Sequence, residues 1–429
     1  MTKKEFLLFF FYLLVVALIT KPFTYGHNEA SRFNTIMSIV ELRSLSWETE
    51  FTFTSEDRVL IDGKMYSDKP HLFALIAAIP YYFLYKLGFN FVTQEALTSY
   101  FMKLIVVAIP TGIFLIFFHR TLQKKIEERY AFFLTFCLGF GTLLFSYSTA
   151  FNNHNLTAFT LFAAFVMYLH AASGEKVNYF FFGFLLGLAI ALDIITGALF
   201  TVFFGIYLFF VKKVAYHHKL FLVLGCALPV AFHLILNFMI FGDLLPAYAH
   251  PQYYIDAQTW QNESNLPGFY NHASLWVFIV YTFHSTLGFR GLFSYTPILL
   301  FGLWFLSRRI LTKKEYMFVP VLFGIVGIIA YYCLYTMNYG GASYGSRYLL
   351  PLTPILLYFC VDMFQGEISQ KWRHTFYFCA AVSVVIAFIG AFNPWTNIGE
   401  GLYIIPIYTN LSITAVYNTA GHYVIYYLF

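Results

Sequence analysis

The sequence predicts an all-α polytopic membrane protein of about eleven transmembrane helices, with further juxtamembrane helices on the external face. Three observations lead there. Of 429 residues, 59% are hydrophobic and only 11% charged, where soluble domains carry about 25% charged residues. Several apolar runs reach the roughly 17–25 residues that a spanning helix needs. Lys and Arg cluster in alternate short loops, the pattern that orients membrane helices. The whole of 1–429 reads as one transmembrane domain with no internal repeat, and repeated halves build many transporter folds.

The first span is Glu5–Thr20, with Lys3 and Lys4 marking its inner end. It keeps no small-residue cleavage site and reads as an uncleaved helix. An external loop, 21–99, follows. Within it, His71–Leu87 is apolar enough to suggest a crossing, but a crossing there would put the basic loop His119–Arg129 outside. The segment is therefore placed at the outer interface, with Pro80 expected to break its helix. The spans Tyr100–Phe118, Ala131–Ser148, Leu156–His170, Tyr179–Leu192, Ile194–Val211 and Leu220–Phe241 alternate to a second external loop, 242–291. Its Ser274–Leu287 part is interfacial for the same reason, since a crossing would export Arg308, Arg309, Lys313 and Lys314. Leu292–Leu306, Tyr316–Tyr335, Tyr348–Phe364 and Thr375–Ala391 complete the count, and the tail 393–429 is external.

The same composition excludes other classes. Basic residues form no groove or stripe, so nucleic acid is not a partner. The five cysteines all lie in apolar runs with no CxxC spacing, which supports neither a zinc site nor a disulfide framework. His217-His218 lies in a basic inner loop and reads as no metal site.

What chemistry there is gathers outside. The stretch His27–Pro70 holds eight of the 21 acidic residues of the chain. Glu29, just past the first helix, is the right type for a base on an acceptor hydroxyl, or else a helix-end partner of Arg32. Asn28, Asp62, Tyr66, Asp68 and Lys69 share that loop; Lys69 stands where a lysine would meet a phosphate at headgroup depth or snorkel to ordinary lipid. His154 sits in the second outer turn, FNNHN, and Asp193 reads as a turn or cap. The most patterned external segment is Tyr339–Tyr348, YGGASYGSRY. Its glycines permit close backbone approach, and Arg347 can take a phosphate bidentately, flanked by Tyr344 and Tyr348. Arg290, in FRGL, is a weaker case of the same kind.

On DGKMYSDKP, the acidic end of the first helix, the Asn-His turn and the late GGASYGSRY segment, the chain resembles the lipid-linked-sugar glycosyltransferases of the GT-C superfamily. Within it, the likeness is to the branch of protein O-mannosyltransferases and lipid A aminoarabinose transferases. That resemblance covers most of the chain and implies a polyprenyl-phosphate-linked sugar donor, an acceptor hydroxyl on glycan, lipid or protein, and an outward-facing site in a bacterial cytoplasmic membrane. The family's first loop usually carries Asp-Glu; here the pair is Asn28-Glu29, so the role of base passes to Glu29. Lys69 matches the family lysine near the lipid phosphate, and Arg347 and His154 are carried over as phosphate or substrate contacts. The expected chemistry is a single inverting displacement without cofactor or obligatory metal, because polyprenyl phosphate leaves readily once cations stabilise it. A lipid-linked-sugar transporter or flippase, an inactive GT-C-like partner, and an O-antigen ligase or polymerase are the competing readings.

Overall fold

The computed structural model describes residues 2–24, 26–47, 53–254, 274–336, 339–341, 343–366 and 368–395. In chain order it has α1 (Lys3–Ile19), α2 (His27–Met37), β1 (Arg58–Ile61), β2 (Lys64–Ser67), α3 (His71–Lys86) and α4 (Glu95–Gln123). Then come α5 (Glu128–Phe140), α6 (Leu143–Tyr147), α7 (His154–Ser173), α8 (Tyr179–Leu192), α9 (Ile194–Val211) and α10 (Tyr216–Phe241). The last are α11 (Leu275–Thr286), α12 (Leu292–Tyr295), α13 (Leu299–Leu311), α14 (Tyr316–Tyr335), α15 (Arg347–Gln365) and α16 (Gln370–Phe392). Most of the external tail, 396–429, and the stretch 255–273 of the second external loop lie outside the described residues.

Among the described residues, seven helices, α4, α7, α9, α10, α14, α15 and α16, are long and apolar enough to cross a membrane, which fits a multi-pass membrane protein. The other four expected spans are helical but short or interrupted. Helix α1 has 17 residues and α8 has 14. The run expected at Ala131–Ser148 breaks at Gly141, then restarts at α6 with the Thr142 hydroxyl accepting from the Leu144 N–H. The run expected at Leu292–Leu306 divides at Thr296-Pro297, because proline has no N–H to give the turn before it.

One close contact was not read from the sequence. Gly183 and Gly187 on α8 face Gly225 and Cys226 on α10 so tightly that an added Cβ would meet a backbone oxygen at about 2.0–2.2 Å. This is the small-xxx-small packing that apolar helices use.

The two ends of the bundle differ. One end gathers the basic loops: Lys4 meets Glu128, Arg120 meets Glu5, the Gln365 amide donates to the Lys125 carbonyl, and Arg309 and Lys313 meet Asp362. The loops expected on one side thus share one end. The other end carries α2, the hairpin, α3 and the cavity described below. Helix α3 lies at that end, its Phe73 and Tyr81 packed in one cluster with Phe33 of α2 and its Ile79 and Phe83 exposed. It runs unbroken through Pro80, contrary to the expected break. Helix α11 likewise stays near, its Tyr281 hydroxyl hydrogen-bonded to Thr336 at the end of α14. Val59 and Tyr66 of the hairpin pack toward Phe241 and Tyr254.

Candidate functional site

A cavity of about 570 Å³ opens at the hairpin end of the bundle. Its walls come from parts of the chain far apart in sequence, and that distance conceals their meeting. Helix α2 supplies Asn28 and Arg32; the segment before β1 supplies Asp57; and the link from β2 to α3 supplies Asp68 and Lys69. Asn153, His154 and Asp193 come from the turns beside α7 and α9. Tyr331, Tyr332 and Tyr335 line it from α14, with Arg347 and Tyr348 from the start of α15 and Trp395 after α16.

Local chemistry explains how the hairpin link reaches the cavity. Asp62-Gly63 makes the tight turn between β1 and β2, both with positive φ (49° and 78°), as a two-residue hairpin demands. The strand ends at Ser67, whose hydroxyl is 2.6 Å from the Ser31 hydroxyl of α2 and accepts from the Lys69 N–H. Pro70 then stops the strand pattern and leads into α3. Asp68 and Lys69 are therefore clamped between α2 and α3.

Lys69 is shared by two carboxylates, Asp57 at 3.1 Å and Asp68 at 2.9 Å. They part in acidity. Burial pushes Asp68 up to about 6, with the neighbouring Asp57 charge adding to it against the pull of Lys69. At Asp57, burial is outweighed by Lys69 and then Arg347, and its carboxyl is held below the ordinary range. Between them they keep the Lys69 ammonium charged despite its burial. The second oxygen of Asp68, Oδ1, has no partner among the described residues.

The two arginines are differently placed. Arg32 is buried and donates to two neutral amides, Asn28 Oδ1 (3.0 Å) and Asn153 Oδ1 (2.8 Å), while its Nη1 has no partner among the described residues. Arg347 lies over the rings of Tyr348 and Trp395, 5.2 and 5.1 Å from their centroids, and its Nε has no partner among the described residues. Burial, and then the nearby Arg347 charge, lowers Arg32 to about 10. Two mutually repelling guanidiniums with unpartnered nitrogens at one cavity have the chemistry that suits an anion.

The remaining wall is aromatic and hydroxylic. Tyr332 stacks on Tyr348 at 4.5 Å, and Tyr331 stacks on Tyr335 at 4.7 Å. His154 Nδ1 is 3.7 Å from Asp193, which caps α9 and accepts from the Tyr332 hydroxyl at 3.4 Å.

Of the residues singled out in the sequence, Asn28, Arg32, Asp68, Lys69, His154, Arg347 and Tyr348 meet at the cavity; Glu29, Asp62, Tyr66, Arg290 and Tyr344 do not line it. Asp62 is the exposed hairpin tip, and Tyr66 packs below the strands. Arg290 turns inward to the Ser343 carbonyl, and buried Tyr344 donates to the Ile386 carbonyl against Gly390. Glu29, expected as the base, points away into the protein. It is fully buried, 3.2 Å from Lys103, and accepts from the Phe151 N–H and the Trp395 indole. Nor does it pair with Arg32, the plainer alternative. Asp57, Asn153, Asp193 and Trp395 were not expected in the site. Asp57 was one acid among eight, and only its shared contact with Lys69 distinguishes it.

Set against protein-family models, curated proteins and solved structures, the chain matches none.

Proposed function

We propose that the protein is a membrane glycosyltransferase of GT-C type, moving a sugar from a polyprenyl-phosphate lipid to an acceptor hydroxyl, with the cavity on the outer side of a bacterial cytoplasmic membrane. The observation that supports this most is the junction of Lys69, Arg32 and Arg347, two of them with open donors, beside two carboxylates of different acidity. Such cations suit the phosphate of a lipid donor. The tyrosine wall with His154 and Asp193 offers hydroxyls and ring faces to a sugar.

In the displacement, the acceptor oxygen attacks the anomeric carbon and the bond from that carbon to the phosphate oxygen breaks. The electron pair leaves on the phosphate, where the three cations stabilise it. The acceptor proton passes to Asp68, whose raised pKa and open Oδ1 make it a better base than Asp57. With no covalent intermediate, the anomeric configuration inverts. Glu29 has no role in the proton transfer.

The test is purified protein in nanodiscs with a radiolabelled polyprenyl-phosphate sugar and a mixture of glycan, lipid and peptide acceptors. Label moving to acceptor as polyprenyl phosphate is released supports the reading. Binding without turnover would favour an inactive partner, and passage of intact donor across a sealed membrane would favour a transporter.

A further inference from the structure

Glu29 is the most heavily committed acid at this end of the bundle, yet it does not face the cavity. Its contacts join parts of the chain that are far apart in sequence. Lys103, also fully buried, meets one oxygen from α4 and donates to the Phe23 carbonyl at 2.6 Å, in the link from α1 to α2. The Phe151 N–H, at 2.6 Å, belongs to the segment that carries Asn153 and His154. The Trp395 indole, at 3.0 Å, comes from the far end of the chain. The ring of that indole carries Arg347 over it, 5.1 Å from the centroid. Just after Lys103, α4 passes through a π-helical turn, Leu104–Ala108. Such turns are uncommon and concentrate at functional places in helices.

A buried ion pair is costly to form and rarely kept for stability alone. Here it holds the indole that in turn holds a guanidinium. We infer that Glu29 is a positioning residue: with Lys103 it fixes the Trp395 ring, and Trp395 sets Arg347 for the donor phosphate. The role rests on the cavity being a phosphate site, as proposed above. It differs from a catalytic base in what it governs. A base controls the rate of the bound complex, whereas this relay controls how well the anion is held.

Removing the indole N–H while keeping a ring isolates the relay. Trp395→Phe should weaken binding of polyprenyl phosphate about three- to tenfold, the scale of one cation–π contact, with the thermal midpoint little changed. Once Arg347→Ala is in place, adding Trp395→Phe should cost nothing more, because contacting residues in one chain of interactions are not additive. Glu29→Gln alone leaves Lys103 buried without its counter-charge, so the balanced variant is Glu29→Gln with Lys103→Met. It should raise KM for the donor and leave kcat within a few fold. The measurements are binding of undecaprenyl phosphate to the full chain in nanodiscs, followed by transfer kinetics. Additive losses for Trp395→Phe and Arg347→Ala would overturn the relay while leaving the phosphate site standing. A kcat loss of a hundredfold or more in the folded double variant would return the base to Glu29. A wild-type chain that binds no polyprenyl phosphate would overturn both the donor reading and this role for Arg347.

Discussion

The two ends of the helix bundle use the same residue types to opposite effect. At the basic-loop end, Arg309 gives Nε and Nη2 to Asp362 and Nη1 to Glu315, and Arg120 closes a fork on Glu5. Both guanidiniums fork onto carboxylates. At the cavity end, Arg32 is given amides instead of acids, Arg347 is given rings, and each keeps an open nitrogen. A buried arginine matched by acids is architecture. One matched by neutral groups, facing a cavity, is the kind we propose to hold an anion.

The largest effect expected at the cavity end is on chemistry. Asp68→Asn should cut transfer about 10²–10⁴-fold while keeping donor binding, since a general base contributes on that scale; kcat and donor affinity measured side by side check it. Near-normal transfer by the folded variant would move the proton to Asp57. Next comes the anion clamp. Arg32→Ala and Arg347→Ala should each weaken the donor about ten- to hundredfold, as loss of a hydrogen bond to a charged group implies. Arg347→Lys should rescue poorly if the contact is bidentate.

The opposite end supplies the control. Arg309→Gln leaves Asp362 buried with less counter-charge and should destabilise the fold by about 3–5 kcal/mol, with donor affinity in the folded fraction unchanged. Reduced donor affinity there would erase the distinction between the ends.

The pH profile sharpens the comparison further. Asp68 titrates high because the folded protein buries its charge, so its deprotonated, base-competent form is lost as pH falls through about 6. The value of kcat/KM should fall below that pH, and the limb should vanish from the residual activity of Asp68→Asn. For stability the sign is reversed: a carboxyl raised in the fold disfavours the folded state above its folded pKa and ceases to do so on acidification. Smallest of all, Asp62→Asn at the hairpin tip should change stability by less than about 0.5 kcal/mol, because an exposed asparagine tolerates positive φ.

Much of the fold was legible because apolar run length and loop charge are local properties. The interfacial placing of α3 came from charge alone, and α3 packs with α2 at the cavity end. Breaks such as Thr296-Pro297 left their mark in the sequence, but the run around them was apolar enough to read as one span. The Gly183–Gly187 seam shows only when its partner helix is known. The site was legible in its cations: Lys69, Arg32 and Arg347 stand out in a chain this poor in charge. The base was not. Glu29 and Asn28 are adjacent on one helix, and a single step of about 100° turns one to the cavity and the other to Lys103. Nothing in a one-dimensional motif records that rotation. Trp395, more than 360 residues from Glu29, could be found only through the fold.

The central claim, that Arg32 and Arg347 at the cavity end hold a lipid phosphate and the carboxylate-paired arginines of the other end do not, is tested by thermal unfolding in nanodiscs against undecaprenyl phosphate. The midpoint of the wild-type chain should rise with ligand, as binding to the folded state alone requires. It should rise equally in Arg309→Gln from its lower starting point, and not at all in Arg32→Ala/Arg347→Ala. A ligand-dependent rise that survives in the Arg32→Ala/Arg347→Ala variant, or its absence in the wild type, would contradict the account.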